Sequence, residues 1–94
     1  MAKDWDAIGV AAARVYAQCQ DVEVLLKVLR DSGVNRGRSV LLLARILDLP
    51  LRKADEITLC SQTWADEFEE ALTMREPILR ALEIMREEER DHDP

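Results

Sequence analysis

Residues Gly33 to Ile57 read GVNRGRSVLLLARILDLPLRKADEI, and the fold class turns on how the apolar run inside them is taken. VLLLARILD is apolar almost all round, with Ser39 in front of it as a helix cap, so it reads as a helix at the centre of a core. Leu49-Pro50 ends that helix: the residue before a proline avoids helical geometry, while the proline suits the start of the next one. The next helix starts at Pro50 or Leu51 and runs to about Thr63, with Leu51, Ala54, Ile57 and Thr58 facing inward. The preceding VNRGR reads as a polar, basic loop.

Upstream, Asp21 caps VEVLLKVLRDSG, whose Val22, Leu25, Leu26 and Leu29 share a face and whose Gly33 is placed as a left-handed stop. A short run such as VEVLLKVL also fits a buried strand, but cap, stripe and terminal glycine agree on a helix. The first helix starts at Asp4 or Asp6 and ends near Gln18, with Trp5, Ile8, Ala12, Val15 and Cys19 at three- and four-residue spacing. Its small side chains, AIGVAAARV, allow close approach of a neighbouring helix, including one from another subunit. Downstream, Trp64 and Phe68 are expected to close the core, and the acidic residues 65–72 fit either helix or irregular chain. Thr73 with Glu76 forms a capping box for a last helix, which tolerates Pro77 in its first turn and carries Ile78, Leu82 and Met85 on one line, flanked by Leu79 and Ile84. Residues 87–94 are expected to fray as an acidic tail. The expectation is an all-α fold, a bundle of about five short helices in one domain, residues 1–94.

Composition supports that class. Of the 94 residues 48% are hydrophobic but only 4% aromatic, and with three glycines and three prolines there is little material for a turn-rich β fold. No apolar run reaches the ~18 residues a membrane helix needs. MAKDWDAIGV has acids where a secretory signal wants bases, so a cytoplasmic chain without membrane contact is expected. In a reducing compartment Cys19 and Cys60 read as small core residues. Charge is segregated: Lys27 to Lys53 holds seven bases and two acids, a local +5. The first 26 residues carry −2, and from Ala54 onward thirteen acids face four arginines, for −9 and an overall −6.

Chemistry is hard to place on this chain. His92, the only histidine, sits three residues from the end of a charged stretch, where nothing orients it as a base. The cysteines have no base to activate them, and Glu69-Glu70 and Glu87 to Glu89 read as solvated faces. There is no glycine-rich phosphate loop, no zinc-binding HExxH, no calcium loop and no Cys/His cluster, so no enzyme, metal or cofactor is expected.

Two stretches resemble known families. Ser39 to about Leu59 resembles a helix-turn-helix: Leu43 and Ala44 fall at its small or apolar packing positions, Leu47 and Leu49 bracket its turn, and Ala54 and Ile57 lie inside its second helix. The resemblance implies Arg52 and Lys53 at the front of a recognition helix and Arg36 and Arg38 near phosphates. It departs from the motif at Asp48 and Pro50, and Asp55 with Glu56 points negative charge at the groove. Val28 to Ile57 is similar to the C-terminal domain of the ribosomal stalk protein and to similarly folded protease adaptors. The likeness lies in Gly33-Val34-Asn35-Arg36 and in Asp48-Leu49-Pro50-Leu51-Arg52-Lys53-Ala54, and it implies a small α+β domain with a protein-docking helix pair.

The leading expectation is a small acidic, non-catalytic protein-interaction module, an adaptor, regulator or assembly subunit. It would dock through an apolar helix face with a basic rim of Arg36, Arg38, Arg52 and Lys53. Apolar positions are abundant for so short a chain, and a homodimer could set the basic middle of one subunit against the acidic end of the other. The alternative is a DNA-binding regulator using residues 39–59.

Overall fold

Six α-helices and one turn of 3-10 helix make up the regular structure of residues 4–91, which the computed structural model describes. In order they are α1 (Trp5–Cys19), α2 (Val22–Asp31), α3 (Arg36–Leu47), α4 (Leu51–Leu59), the 3-10 turn (Ala65–Glu67), α5 (Phe68–Thr73) and α6 (Arg75–Asp91). No strand occurs among the described residues, which overturns the α+β alternative and makes Val22 to Leu29 helical.

The helix starts follow side-chain caps. Asp4 accepts the amide of Ala7, and Asp21 that of Glu23. α3 begins four residues before its expected start, because Asn35 is extended and its Oδ1 accepts the amide of Arg38 at 2.8 Å. Ser39 is therefore an interior, fully buried residue of the helix and not its cap, and the basic loop is the helix's first turn. α3 and α4 meet at a tight corner: Asp48 is left-handed (φ 54°, ψ 55°), the amide of Leu49 donates to the carbonyl of Ala44, and Pro50 precedes the first turn of α4.

α3 is the hub of the core. Val40, Leu41, Leu42, Leu43 and Ala44 are all buried, and α1, α2, α4 and α6 pack around them. Leu25, Leu26 and Leu29 enter from α2, Leu51 and Ala54 from α4, and Leu79 and Leu82 from α6. α1 approaches closely at Gly9, where a Cβ would stand 3.4 Å from Leu42 Cδ2. Trp64 is buried as expected, whereas Phe68 is exposed. Both cysteines are also exposed, against expectation: Cys19 is the last residue of α1 and Cys60 follows α4, so each lies at a helix end and outside the packed stripe.

The connection after α4 is held by α2. The carboxylate of Glu23 accepts the amides of Gln62 and Thr63 and the hydroxyl of Thr63. Arg30 grips Asp66 through two bonds of 2.7 and 2.8 Å and lies 4.3 Å over the ring of Trp64.

The sixth helix is α5, in the acidic stretch 65–72 that fits either helix or irregular chain, and Pro77 separates it from α6. A proline has no N–H to offer the carbonyl four residues back, and its ring crowds that carbonyl. Here that is Thr73, where α5 ends; the turn at Met74 then leads into α6. Thr73 does not cap α6, since its hydroxyl donates backward to the carbonyl of Glu69. Beyond Arg86 the chain stays helical to Asp91, into the stretch expected to fray, as a run of Glu and Arg favours. His92 lies outside the described residues.

Candidate protein-interaction surface

The four basic residues expected to form one rim are placed in three different settings. Arg36 is only 6% exposed, and its Nη2 donates to Asp55 Oδ1 at 2.9 Å, so its charge is spent inside the fold. Arg38 is partly exposed and stands 5.0 Å over the ring of Trp5, at the start of α1. Arg52 and Lys53 are exposed in the first turn of α4, but Arg52 is held by both carboxylate oxygens of Glu76 at 3.1 and 3.2 Å. Lys53 has no ion pair within 4 Å among the described residues.

Asp55, which the helix-turn-helix resemblance points at a DNA groove, is fully buried. It takes Arg36 on one oxygen and the Nε of Arg75 on the other at 2.7 Å, joining α3, α4 and α6. Sequence reasoning missed this hub. Its one signal was position: Asp55 follows Ala54, four residues after Leu51 and four before Leu59, on the flank of an apolar stripe.

The segregated charge folds back on itself. Arg30 pairs with Asp66, Arg52 with Glu76, and Arg45 with Asp6. Two of the pairs shift their titration. The hydrogen bond from Arg30 holds the Asp66 carboxyl below the usual range, and that from Arg52 does the same to Glu76; both guanidinium groups are raised in turn by the same bonds. Arg52, Glu76 and Asp66 are exposed, so these are surface contacts of modest worth, and only Arg30 is half-buried.

Large exposed apolar side chains concentrate on the C-terminal helices. Four of the six large exposed apolar side chains among the described residues, Phe68, Leu72, Met74 and Ile84, fall between residues 68 and 84. On α6 the inward positions are Leu79 and Leu82, with Ile78 and Met85 partly buried beside them. Outward, Pro77, Ala81 and Ile84 recur at i, i+4 and i+7, one face of a helix. With Glu76 and Arg80 they line a shallow groove of about 410 Å³, and all five of these residues belong to α6. A second groove of about 390 Å³ runs along the other side of the helix, between Pro50, Leu51 and Arg52 and the α6 residues Glu83, Arg86 and Glu87. The edge between the grooves is acidic.

Among the described residues no group of three or more histidine, cysteine or acidic side chains stands close enough to hold a metal ion. No helix among them is long and apolar enough to cross a membrane. Comparison of the chain with protein-family models, with curated protein sequences and with solved structures gave no match.

Proposed function

We propose that this chain is a non-catalytic protein-interaction module that docks a partner through the outward face of α6. The observation that carries the reading is the one-helix groove of Pro77, Ala81 and Ile84: Ile84 is 54% exposed on a helix whose opposite side is fully used by the core. An exposed apolar row at i, i+4 and i+7 is the surface a second helix takes up. Singly scattered apolar residues, such as Val10 and Val24, need no such account.

The DNA-binding reading loses ground to the same geometry. α6 packs against α4, so Glu76, Glu83 and Glu87 crowd the helix front that would have to enter a groove, and Arg52 is already paired there. Homodimerisation loses part of its charge argument as well, since Arg30, Arg45 and Arg52 of the basic middle meet acids of their own chain.

The test is amide chemical-shift mapping during titration with an 18-residue model helix that has a leucine face and a glutamine face. Shifts centred on Pro77 to Ile84 are expected, and a mixed-sequence DNA duplex should move nothing. Absence of any peptide-induced shift at α6 would overturn the reading, and duplex-induced shifts at Arg52 and Lys53 would put DNA binding in its place.

A further inference from the structure

We propose that the outer face of α6, with Pro77, Ala81 and Ile84 bordered by Glu83, Glu87 and Glu88, seats a basic amphipathic helix of another protein. The proposal rests on the reading above and names the partner's chemistry.

Three observations select that occupant. First, the shape asks for a helix: the three apolar positions span seven residues, about 10 Å of helix axis at 1.5 Å per residue, which matches the repeat a partner helix presents. α6 offers no unpaired backbone edge to a strand, because its interior amides and carbonyls are spent within the helix.

Second, the border asks for cations. Glu83 and Glu87 lie four residues apart on the ridge between the two grooves, and Glu88 lies four residues beyond Ile84, at the end of the apolar row. All three are exposed, and no ion pair among the described residues engages them. Glu76, at the other end, is already neutralised by Arg52, and Arg80 is the one cation within the row. A helix with lysines or arginines flanking an apolar stripe meets this pattern, and one with acids is repelled by it.

Third, the chain does not supply that helix itself. Two α6 faces pairing antiparallel would turn the Glu83/Glu87 ridge of one copy toward the ridge of the other, between molecules that each carry −6. The basic middle is a poor substitute: four of its seven bases, Arg30, Arg36, Arg45 and Arg52, are engaged by Asp66, Asp55, Asp6 and Glu76 of their own chain, and the exposed Lys27 and Lys53 lie on different helices and so do not flank one apolar stripe.

The experiment uses the full chain and three 18-residue model helices with one leucine face and a polar face of lysine, glutamine or glutamate, titrated by fluorescence anisotropy and mapped by amide shifts. The lysine helix is expected to bind at least about tenfold tighter than the glutamate helix, the scale on which like-charge juxtaposition discriminates. Ile84→Asp should abolish that binding while Val24→Asp, at another exposed apolar site, leaves it unchanged; both positions are exposed, so circular dichroism should show both variants folded. Glu83→Lys with Glu87→Lys should reverse the order of the lysine and glutamate helices. Equal binding of all three peptides at the Ile84 face would overturn the proposal and leave the interaction reading standing. No binding by any would remove both. Concentration-dependent self-association lost on Ile84→Asp, with no preference for the lysine helix, would overturn the proposal in favour of a second copy as the occupant.

Discussion

Asp55 is the residue on which the interior depends most. Taking a carboxylate wholly out of water is tolerable only because two guanidinium groups meet it, and Arg36 is itself buried with Nε and Nη1 lacking partners. The three side chains hold the start of α3, the middle of α4 and the start of α6 in one arrangement, so removing the acid costs more than its own bonds. Asp55→Ala leaves Arg36 as an uncompensated buried charge and should lower unfolding stability by about 3–5 kcal/mol in urea titration. The double change Arg36→Met with Asp55→Leu removes both charges and should recover most of that loss, since apolar replacement of a buried pair is often neutral or better. If the double variant is as unstable as the single one, packing shape and not stranded charge governs the site.

At the scale of elements, helix ends decide more than helix interiors. Two helices stop on a non-glycine residue in the left-handed region: Gln20 after α1 and Asp48 after α3, both at φ 54°. A left-handed side-chain-bearing residue costs about 1–2 kcal/mol relative to the right-handed form, less for Asp, which tolerates the conformation better. Gln20→Gly should therefore raise stability by about 1 kcal/mol, and Asp48→Gly by less; equal or negative changes in chemical denaturation would show that these ends carry no strain. Ends also explain which parts of the fold were legible. Asp21, Gly33 and the Leu49-Pro50 step mark their boundaries by local chemistry alone, and the all-round apolar α3 announces its central place. Ser39 misled because a serine before an apolar run looks like a cap, while Asn35, one turn earlier, competes for the same job and adds a turn. Thr73 misled likewise: the capping box was read from two residues, whereas Pro77 decides the break from the other side. The irregular stretch after α4 had no local signal, because its order comes from Glu23 and Arg30, about 33 to 40 residues away in sequence.

For the whole molecule, charge segregation along the chain is undone by folding. The sequence showed a basic middle and an acidic end but not that they meet, because pairing across 24 and 36 residues is set by how α6 and the 3-10 turn pack. That is also why the candidate site was only partly legible: Arg52 and Lys53 are on the surface as expected, Arg36 is not, and the outward row of α6 was hidden behind its more obvious inward row of Ile78, Leu82 and Met85. The fold-back has a consequence for acid stability. Asp66 and Glu76 have folded-state values held below their unfolded ones, so each contributes stability that is complete above about pH 4, the ordinary carboxylate range, and is lost as pH falls through the lowered folded value. The thermal midpoint should thus drop on acidification below about pH 4, and the drop should be smaller in Arg52→Gln, in which Glu76 returns toward its ordinary titration. Because the Arg52–Glu76 pair faces solvent, the difference between wild type and variant should also shrink in about 1 M salt, where the screening length is about 3 Å. A difference that survives high salt would mean that the paired hydrogen bonds of Arg52 to Glu76, and not charge attraction open to screening, carry the effect.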